Sequence, residues 1–253
     1  MPAQRFHYFV FALISGLLLC ACAYGSPNES PTVLFFGPKI DNVNISLINS
    51  NGPNPPAANL YGENLSGQFQ FSPSYFAVLS LNSVQGNILS PAHVYVPWSD
   101  FETAVGVGHS FHIKWFNNWH EAVVLTYTRG NRPFGGVDPA GQPALETAKL
   151  TKLALQLTGS FDLTDRLTSL IGLGFLYGQM HSSDIYGSPP VNGGLLRFQL
   201  TYQFSSKFFA LGETGAERER YSYSVRNQSA VTSTINSFNL LIVSAKAGIG
   251  YVF

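Results

Sequence analysis

The charged residues of this chain recur at spacings that would bring them together. Glu213, Glu217 and Glu219 in "ETGAERE" are an even number of residues apart, so they share one face if the segment is a β-strand. Basic residues and amides occupy the polar side of other alternating segments in the same way: Lys152 with Gln156, Arg197 with Gln199, and Lys246. Charges withdrawn from bulk water require partners. These residues therefore predict either an interior network of ion pairs or the lining of a narrow channel.

A second set of reactive residues lies in "QMHSSD", residues 179–184. His181 could act as a base toward the hydroxyl of Ser183, which is the pairing that nucleophilic hydrolysis needs. His109 and His112 are an odd number of residues apart, so they point to opposite faces of a strand and cannot share one metal ion there. We predict no metal site and no cofactor, since no Gly-rich phosphate loop or nucleophile elbow stands out.

These residues are carried by segments in which apolar and polar residues alternate with a period of two, as in β-strands. In "LTKLALQLTGSF" the leucines alternate with Lys152 and Gln156. Segment 208–222 is irregular, because Phe209 and Leu211 fall on its polar face. Ten segments follow the pattern, near residues 33–48, 59–71, 75–84, 103–115, 119–129, 149–161, 167–179, 193–204, 208–222 and 238–253.

Composition and loop lengths favour strands that cross a membrane. Charged residues make up 11% of the chain, against about 25% in an average soluble domain. Short turns near 72–74, 116–118, 162–166 and 205–207 alternate with long loops rich in Pro, Gly, Asn and Ser. This is the pattern of barrels with periplasmic turns and extracellular loops. Aromatic residues flank the turns and the chain end, as in a membrane girdle: Phe71, Tyr75, Trp115, Trp119, Phe161, Phe204, Phe208, Tyr251 and Phe253.

We therefore predict an all-β fold, an antiparallel up-and-down transmembrane β-barrel of ten strands. The alternative is eight strands, with residues 65–83 as one long first strand and 24–64 as an amino-terminal extension. A secreted β-sandwich is the soluble alternative, because its strands alternate as well. The net charge of zero gives no support for nucleic-acid binding.

The first 23 residues differ from the rest and predict a secretory signal peptide, so that 24–253 form the barrel. Arg5 precedes the apolar run "FVFALISGLLLCACA", which ends in small residues suited to cleavage. Two alternatives stay open: an uncleaved anchor helix, or lipidation of Cys22 in the lipobox-like "LCAC". Both cysteines, Cys20 and Cys22, lie in this segment, so no disulfide is expected beyond it.

The last strand, "LLIVSAKAGIGYVF", ends in Phe253 with Tyr251 two residues before it and apolar residues at alternate positions. It resembles the carboxy-terminal signature of bacterial outer-membrane β-barrel proteins. The resemblance covers the terminal strand closely and specifies the superfamily, not a particular family. It implies an outer-membrane location and contact with outer-membrane lipid and lipopolysaccharide. It also implies recognition of the terminal strand by the barrel-assembly machinery.

Three functions are compatible with these features. The leading expectation is a non-enzymatic barrel, either structural or a narrow pore for small solutes, with charged residues filling or lining its lumen. A surface adhesin would use loops 85–102, 130–147 and 223–237. A lipid-modifying enzyme would use His181 and Ser183, whose arrangement resembles the His/Ser pair of lipid A deacylases.

Overall fold

Ten antiparallel strands make up nearly all of the computed structural model, which describes residues 32–47, 56–89, 95–112, 119–137, 143–182, 188–224 and 235–253. Within these ranges no helix is long and apolar enough to span a membrane. The strands are β1 (Val33–Leu47), β2 (Ala58–Ser72), β3 (Tyr75–Leu89), β4 (Tyr95–Phe111), β5 (Trp119–Val137), β6 (Pro143–Thr164), β7 (Leu167–His181), β8 (Pro190–Gln203), β9 (Phe208–Ser224) and β10 (Ile235–Val252).

The strands form one closed barrel in which each strand pairs with its neighbours in sequence and β1 pairs with β10. Closure joins the chain's first and last strands, with Leu34 opposite Tyr251 and Leu47 opposite Phe238. The predicted ten-stranded barrel is confirmed. The eight-stranded alternative and the β-sandwich are wrong, because 33–47 is a strand and a turn at 73–74 separates β2 from β3.

Several strands extend beyond their predicted ends. Strand β4 begins at Tyr95 and β5 continues to Val137, so most of the loops predicted at 85–102 and 130–147 are strand. The prediction took the prolines in these segments as a sign of loops. Within the described ranges, residues 95–102 pair with β3 and with no other strand. An edge that is unpaired in this way tolerates a proline such as Pro97.

The strands are longer than a bilayer requires. A tilted transmembrane strand needs about 9–11 residues, whereas β8 has 14 and β6 has 22. The turns at 73–74, 165–166 and 204–207 lie within a few residues of the girdle aromatics Phe71, Phe161 and Phe208. The additional length therefore lies at the opposite, extracellular end.

Strand β6 shows how the barrel wall changes along its axis. In its carboxy-terminal half the outward Leu155 and Leu157 are 53% and 55% exposed, while Gln156 faces the interior. In its amino-terminal half the outward Lys149 is exposed, while the inward Leu150 is completely buried. The barrel thus has a membrane segment, apolar outside and largely polar inside, and an extracellular segment with the reverse arrangement.

An apolar core fills the extracellular segment. Among the side chains that the structure describes, it consists of inward-facing residues from nine of the ten strands: Val43, Ile45, Ala58, Leu60, Val84, Ile88, Trp98, Ala148, Leu150, Ala154, Leu176, Met180, Val191, Tyr221, Phe238 and Leu240. Tyr221 and Phe238 stack at its centre, with ring centroids 4.5 Å apart. Such a core stabilises this half of the barrel as it would stabilise a water-soluble protein.

Candidate functional site

A layer of charged side chains crosses the barrel interior beneath the apolar core. Its centre is Arg132 on β5, which is almost fully buried. Its guanidinium contacts three carboxylates: Asp100 at 2.6 Å, Glu102 at 2.5 Å and Glu219 at 3.0 Å. The carboxylates come from β4 and β9, so one arginine joins three strands. Buried charges are retained only with such partners, because desolvating an unpaired ion is very costly.

Lys152 on β6 is the second cation of the charged layer. Its ammonium pairs with Glu217, lies 3.2 Å from Glu219 and lies 3.6 Å from Glu102. The Tyr221 hydroxyl donates a hydrogen bond to Glu219, which links the layer to the apolar core above it. The complete charged layer contains four carboxylates and two cations: Asp100, Glu102, Glu217, Glu219, Arg132 and Lys152.

Local backbone geometry positions the layer between β4 and β5. The ladder between these strands ends at Thr103 opposite Arg129. Beyond it, the Asp100 carboxylate accepts a hydrogen bond from the backbone N–H of Asn131, at 3.1 Å. A Cβ on Gly130 would lie 2.6 Å from Cγ of Glu102. Glycine at 130 therefore gives the Glu102 side chain the room to reach Arg132.

A second charged cluster lies on the inner faces of β1, β8, β9 and β10. Glu213 pairs with Arg197 and lies 3.2 Å from the ammonium of Lys246. On β1, Lys39 lies 2.9 Å from Asp41. Here three cations face two carboxylates, so this cluster has the opposite charge imbalance to the charged layer.

Two adjoining cavities lie beside these clusters. The smaller, of about 130 Å³, is bordered by the charged layer, by Asp41 and by Trp98 of the apolar core. Its polar walls suit ordered water. The larger, of about 600 Å³, extends from Glu102 and Lys152 through the membrane segment to the periplasmic turn at Arg166. The interior is therefore packed at the extracellular end and hollow across the membrane.

All seven predicted lumen residues face the interior. Gln156 lines both cavities, and the Gln199 amide accepts a hydrogen bond from Arg197 at 3.0 Å and donates one to Thr201 at 3.1 Å. The remaining five belong to the two charged clusters: Lys152, Arg197, Glu213, Glu217 and Lys246.

Sequence reasoning missed several members of these clusters. Arg132, Asp100 and Glu102 lie in segments that were predicted as loops. The even spacing of Trp98, Asp100 and Glu102 in "WSDFE" could have indicated one inward face. No comparable signal predicts which acid pairs with Arg132, because its partner Glu219 is 87 residues away in the chain.

The predicted girdle residues that the structure describes lie beside the periplasmic turns. Phe71 and Tyr75 flank the first turn with ring centroids 6.3 Å apart, and Trp119 stacks on Phe161 at 5.1 Å. Trp115 lies outside the described residues. The last group is a continuous row of rings, Phe204, Phe208, Tyr251 and Phe253, with successive centroids 6.2, 5.1 and 4.8 Å apart.

The predicted hydrolytic pair cannot be assembled from the described residues, since Ser183 lies outside them. His181 ends β7 on the exposed outer face, and its Nδ1 lies 2.9 Å from the hydroxyl oxygen of Ser188. His109 stacks on Tyr75 at 4.6 Å, beside the first periplasmic turn.

The irregular face of β9 has a packing explanation. Phe209 and Leu211 do point inward, where they form a small apolar cluster with Phe35. A Cβ on Gly250 of β10 would lie 1.9 Å from the Phe209 ring. Glycine at 250 thus leaves the space that this inward-facing ring occupies.

The closed ladder, the apolar outer surface of the membrane segment and the aromatic residues beside short turns together define a transmembrane β-barrel. The chain is an integral outer-membrane β-barrel protein of the bacterial type.

Comparison with known proteins finds similarity only to solved structures, at low sequence identity. No protein-family model and no curated protein sequence matches the chain. Among solved structures, outer membrane protein OprG from Pseudomonas aeruginosa is 12% identical with a TM-score of 0.44, over 89% of this chain and 96% of OprG. Outer membrane protease OmpT from Escherichia coli is 11% identical with a TM-score of 0.47, over 90% and 99%.

The translocator domain of autotransporter NalP from Neisseria meningitidis is also similar. It is 13% identical with a TM-score of 0.47, over 98% of each chain. The sequence identities of 12%, 11% and 13% are too low for any activity of these proteins to be transferred to this chain.

Proposed function

We propose that this protein is a non-enzymatic, structural outer-membrane barrel whose interior is closed at its extracellular end. The observation that supports this role is the apolar core of the extracellular segment, with Tyr221 and Phe238 stacked at its centre. The charged layer lies directly beneath the core and adds a second barrier of paired charges. A solute would have to displace both to cross the barrel.

The sequence allowed a narrow pore as well, and bilayer recording distinguishes the two roles. The refolded chain in a planar bilayer is expected to give no discrete conductance steps. Removing both stacked rings with Tyr221→Ala and Phe238→Ala should produce steps, because it opens a hole through the core and removes the hydrogen bond by which Tyr221 holds Glu219 in the charged layer. Phe238→Leu, which keeps most of the apolar volume, is the matched control and should stay silent. Regular steps from the wild-type barrel would overturn the closed role and favour the pore.

Contact with lipopolysaccharide is the proposed lipid interaction. Arg129, Lys149, Arg218 and Arg220 face outward and are exposed just above the apolar band, and none of them has an ion pair among the described residues. Lipopolysaccharide phosphates at this height would complement their charge. Arg129→Gln with Lys149→Gln should reduce the lipopolysaccharide that co-purifies with the barrel. The periplasmic-turn variant Lys207→Gln should not, and equal retention by all variants would contradict the contact.

Recognition of the last strand by the barrel-assembly machinery is also proposed. Phe253 is accessible, 42% exposed, at the end of the strand that closes the barrel. Deleting Phe253 should slow assembly in cells while leaving spontaneous refolding in detergent unchanged. Normal assembly in cells would refute this role. The adhesin and lipid-hydrolase hypotheses stay predictions, because most loop tips and Ser183 lie outside the described residues.

A further inference from the structure

We propose that the larger interior cavity is a binding site for a small amphipathic carboxylate, a molecule with an apolar body and one anionic group. The site is separate from the closed extracellular end, so the proposal goes beyond the structural role. Its four supports are the size of the cavity, its two kinds of wall, its charge and its reach toward the periplasm.

The cavity has the volume of a ligand site. At about 600 Å³ it falls within the range of about 300–1,000 Å³ that is typical of small-molecule pockets. It passes through the membrane segment, where the wall is one strand thick and the interior is not filled by an apolar core.

The walls of the cavity differ in chemistry. Phe35, Phe209, Leu211 and Val252 give β1, β9 and β10 an apolar surface near the periplasmic end. The inner faces of β5 to β8 add hydroxyls and amides among their apolar residues: Thr126, Gln156, Thr158, Thr168, Gln199, Thr201 and Gln203. A ligand with an apolar body and a polar end matches both surfaces.

The charge of the lining favours an anion. Five basic and four acidic side chains border the cavity: Lys39, Lys152, Arg166, Arg197, Lys246, Glu102, Asp165, Glu213 and Glu217. Asp41 neutralises Lys39 from outside the cavity, so the positive excess is confined to the second charged cluster.

In this cluster two cations, Arg197 and Lys246, share the carboxylate of Glu213. One positive charge is therefore left without a carboxylate of its own among the described residues. The Arg197 side chain is 34% exposed. Its Nε is buried and makes no hydrogen bond within the described part of the chain. An incoming carboxylate would contact the exposed part of the Arg197 side chain and balance the positive charge that is left when Arg197 and Lys246 share Glu213.

The acidic excess of the charged layer is partly neutralised by its own cations, Arg132 and Lys152. Glu217 lies four residues beyond Glu213 on β9, which is about 13 Å at the usual strand rise. Lys152 also covers Glu217 on the side of the cavity.

A polar track leads from the periplasmic end to Arg197. Arg197 donates to Gln199 at 3.0 Å, and Gln199 donates to Thr201 at 3.1 Å. Gln203 and the turn residue Arg166 continue this lining to the end of the strand. The carboxylate of a ligand entering from the periplasm would pass these groups before meeting Arg197.

The test is a ¹⁹F NMR titration of 4-(trifluoromethyl)benzoate against the full barrel in nanodiscs of neutral lipid. Saturable binding is expected for the wild type. It should weaken at least tenfold in Arg197→Gln and remain unchanged in Lys207→Gln, which removes a cation outside the cavity. Glu213→Gln removes the competing carboxylate and should tighten binding. That gain cannot result from misfolding, and a heat-modifiable gel band checks the fold of each variant.

Two analogues test the charge preference. The uncharged 4-(trifluoromethyl)benzyl alcohol should bind more weakly than the benzoate and be insensitive to Arg197→Gln. The 4-(trifluoromethyl)benzylammonium ion should bind more weakly still. No saturable benzoate binding, equal binding in Arg197→Gln, or tighter binding of the ammonium ion would each overturn the proposal. These outcomes are independent of the conductance of the barrel.

Discussion

Replacing Arg132 by methionine removes the cation at the centre of the charged layer. Methionine fills much of the same space, so the main loss is charge. Asp100, Glu102 and Glu219, which lie within 3.0 Å of the guanidinium, lose that partner. Breaking a buried ion pair by removing one member typically costs about 3–5 kcal/mol. That cost corresponds to at least a roughly 100-fold shift of the unfolding equilibrium.

The assay is urea unfolding of the refolded barrel in lipid vesicles, followed by tryptophan fluorescence. Arg129→Met is the matched control, because Arg129 lies on the same strand but points outward. It should change the free energy of unfolding by less than about 0.5 kcal/mol. Adding Glu219→Gln to Arg132→Met restores the original charge imbalance of the layer and should recover part of the loss. A loss below about 1 kcal/mol for Arg132→Met would refute the role of the network in stability.

Three further changes test other parts of the barrel by the same unfolding assay. Gly250→Ala would force a Cβ to within 1.9 Å of the Phe209 ring and should lower the free energy of unfolding by about 1–3 kcal/mol. Adding Phe209→Leu should relieve this clash, and an unchanged stability of Gly250→Ala would contradict the packing. Leu240→Ala empties part of the apolar core and should cost about 2–5 kcal/mol, whereas a loss under 1 kcal/mol would mean a loosely packed core. Ser205→Ala removes the hydroxyl that accepts a hydrogen bond from the backbone N–H of Phe208 at 2.9 Å. It should lower the free energy of unfolding by only about 1 kcal/mol, and a much larger loss would contradict this single-bond account of the turn.

The membrane segment was predictable from sequence because its pattern follows directly from lipid. Leu153, Leu155 and Leu157 alternate with polar residues, and the aromatic residues beside each turn mark one boundary of the bilayer. These local signals suffice for the number of strands and for the inward direction of residues such as Lys152 and Gln156.

The extracellular segment was not predictable in the same way. There the apolar residues face inward and the polar residues outward, which is the alternation of any soluble sheet. Proline and glycine in 85–102 and 130–147 then favoured loops. Arg132 lies in the second of these segments, so it was not predicted to face the interior. The charged layer also depends on strand register across the barrel, which joins residues such as Lys152 and Glu217 from distant parts of the chain. Local alternation contains no information about such pairs.

The most direct test of a closed extracellular end is cysteine labelling inside the barrel. The chain from residue 24 contains no cysteine, so single cysteines can be placed at Leu150, Gln156 and Lys149 and exposed to a water-soluble maleimide. Rapid labelling is expected for Lys149→Cys on the outer surface and for Gln156→Cys in the hollow membrane segment. Leu150→Cys, inside the apolar core, should stay protected until the barrel is unfolded in urea. Rapid labelling of Leu150→Cys in the folded barrel would contradict the closed interior.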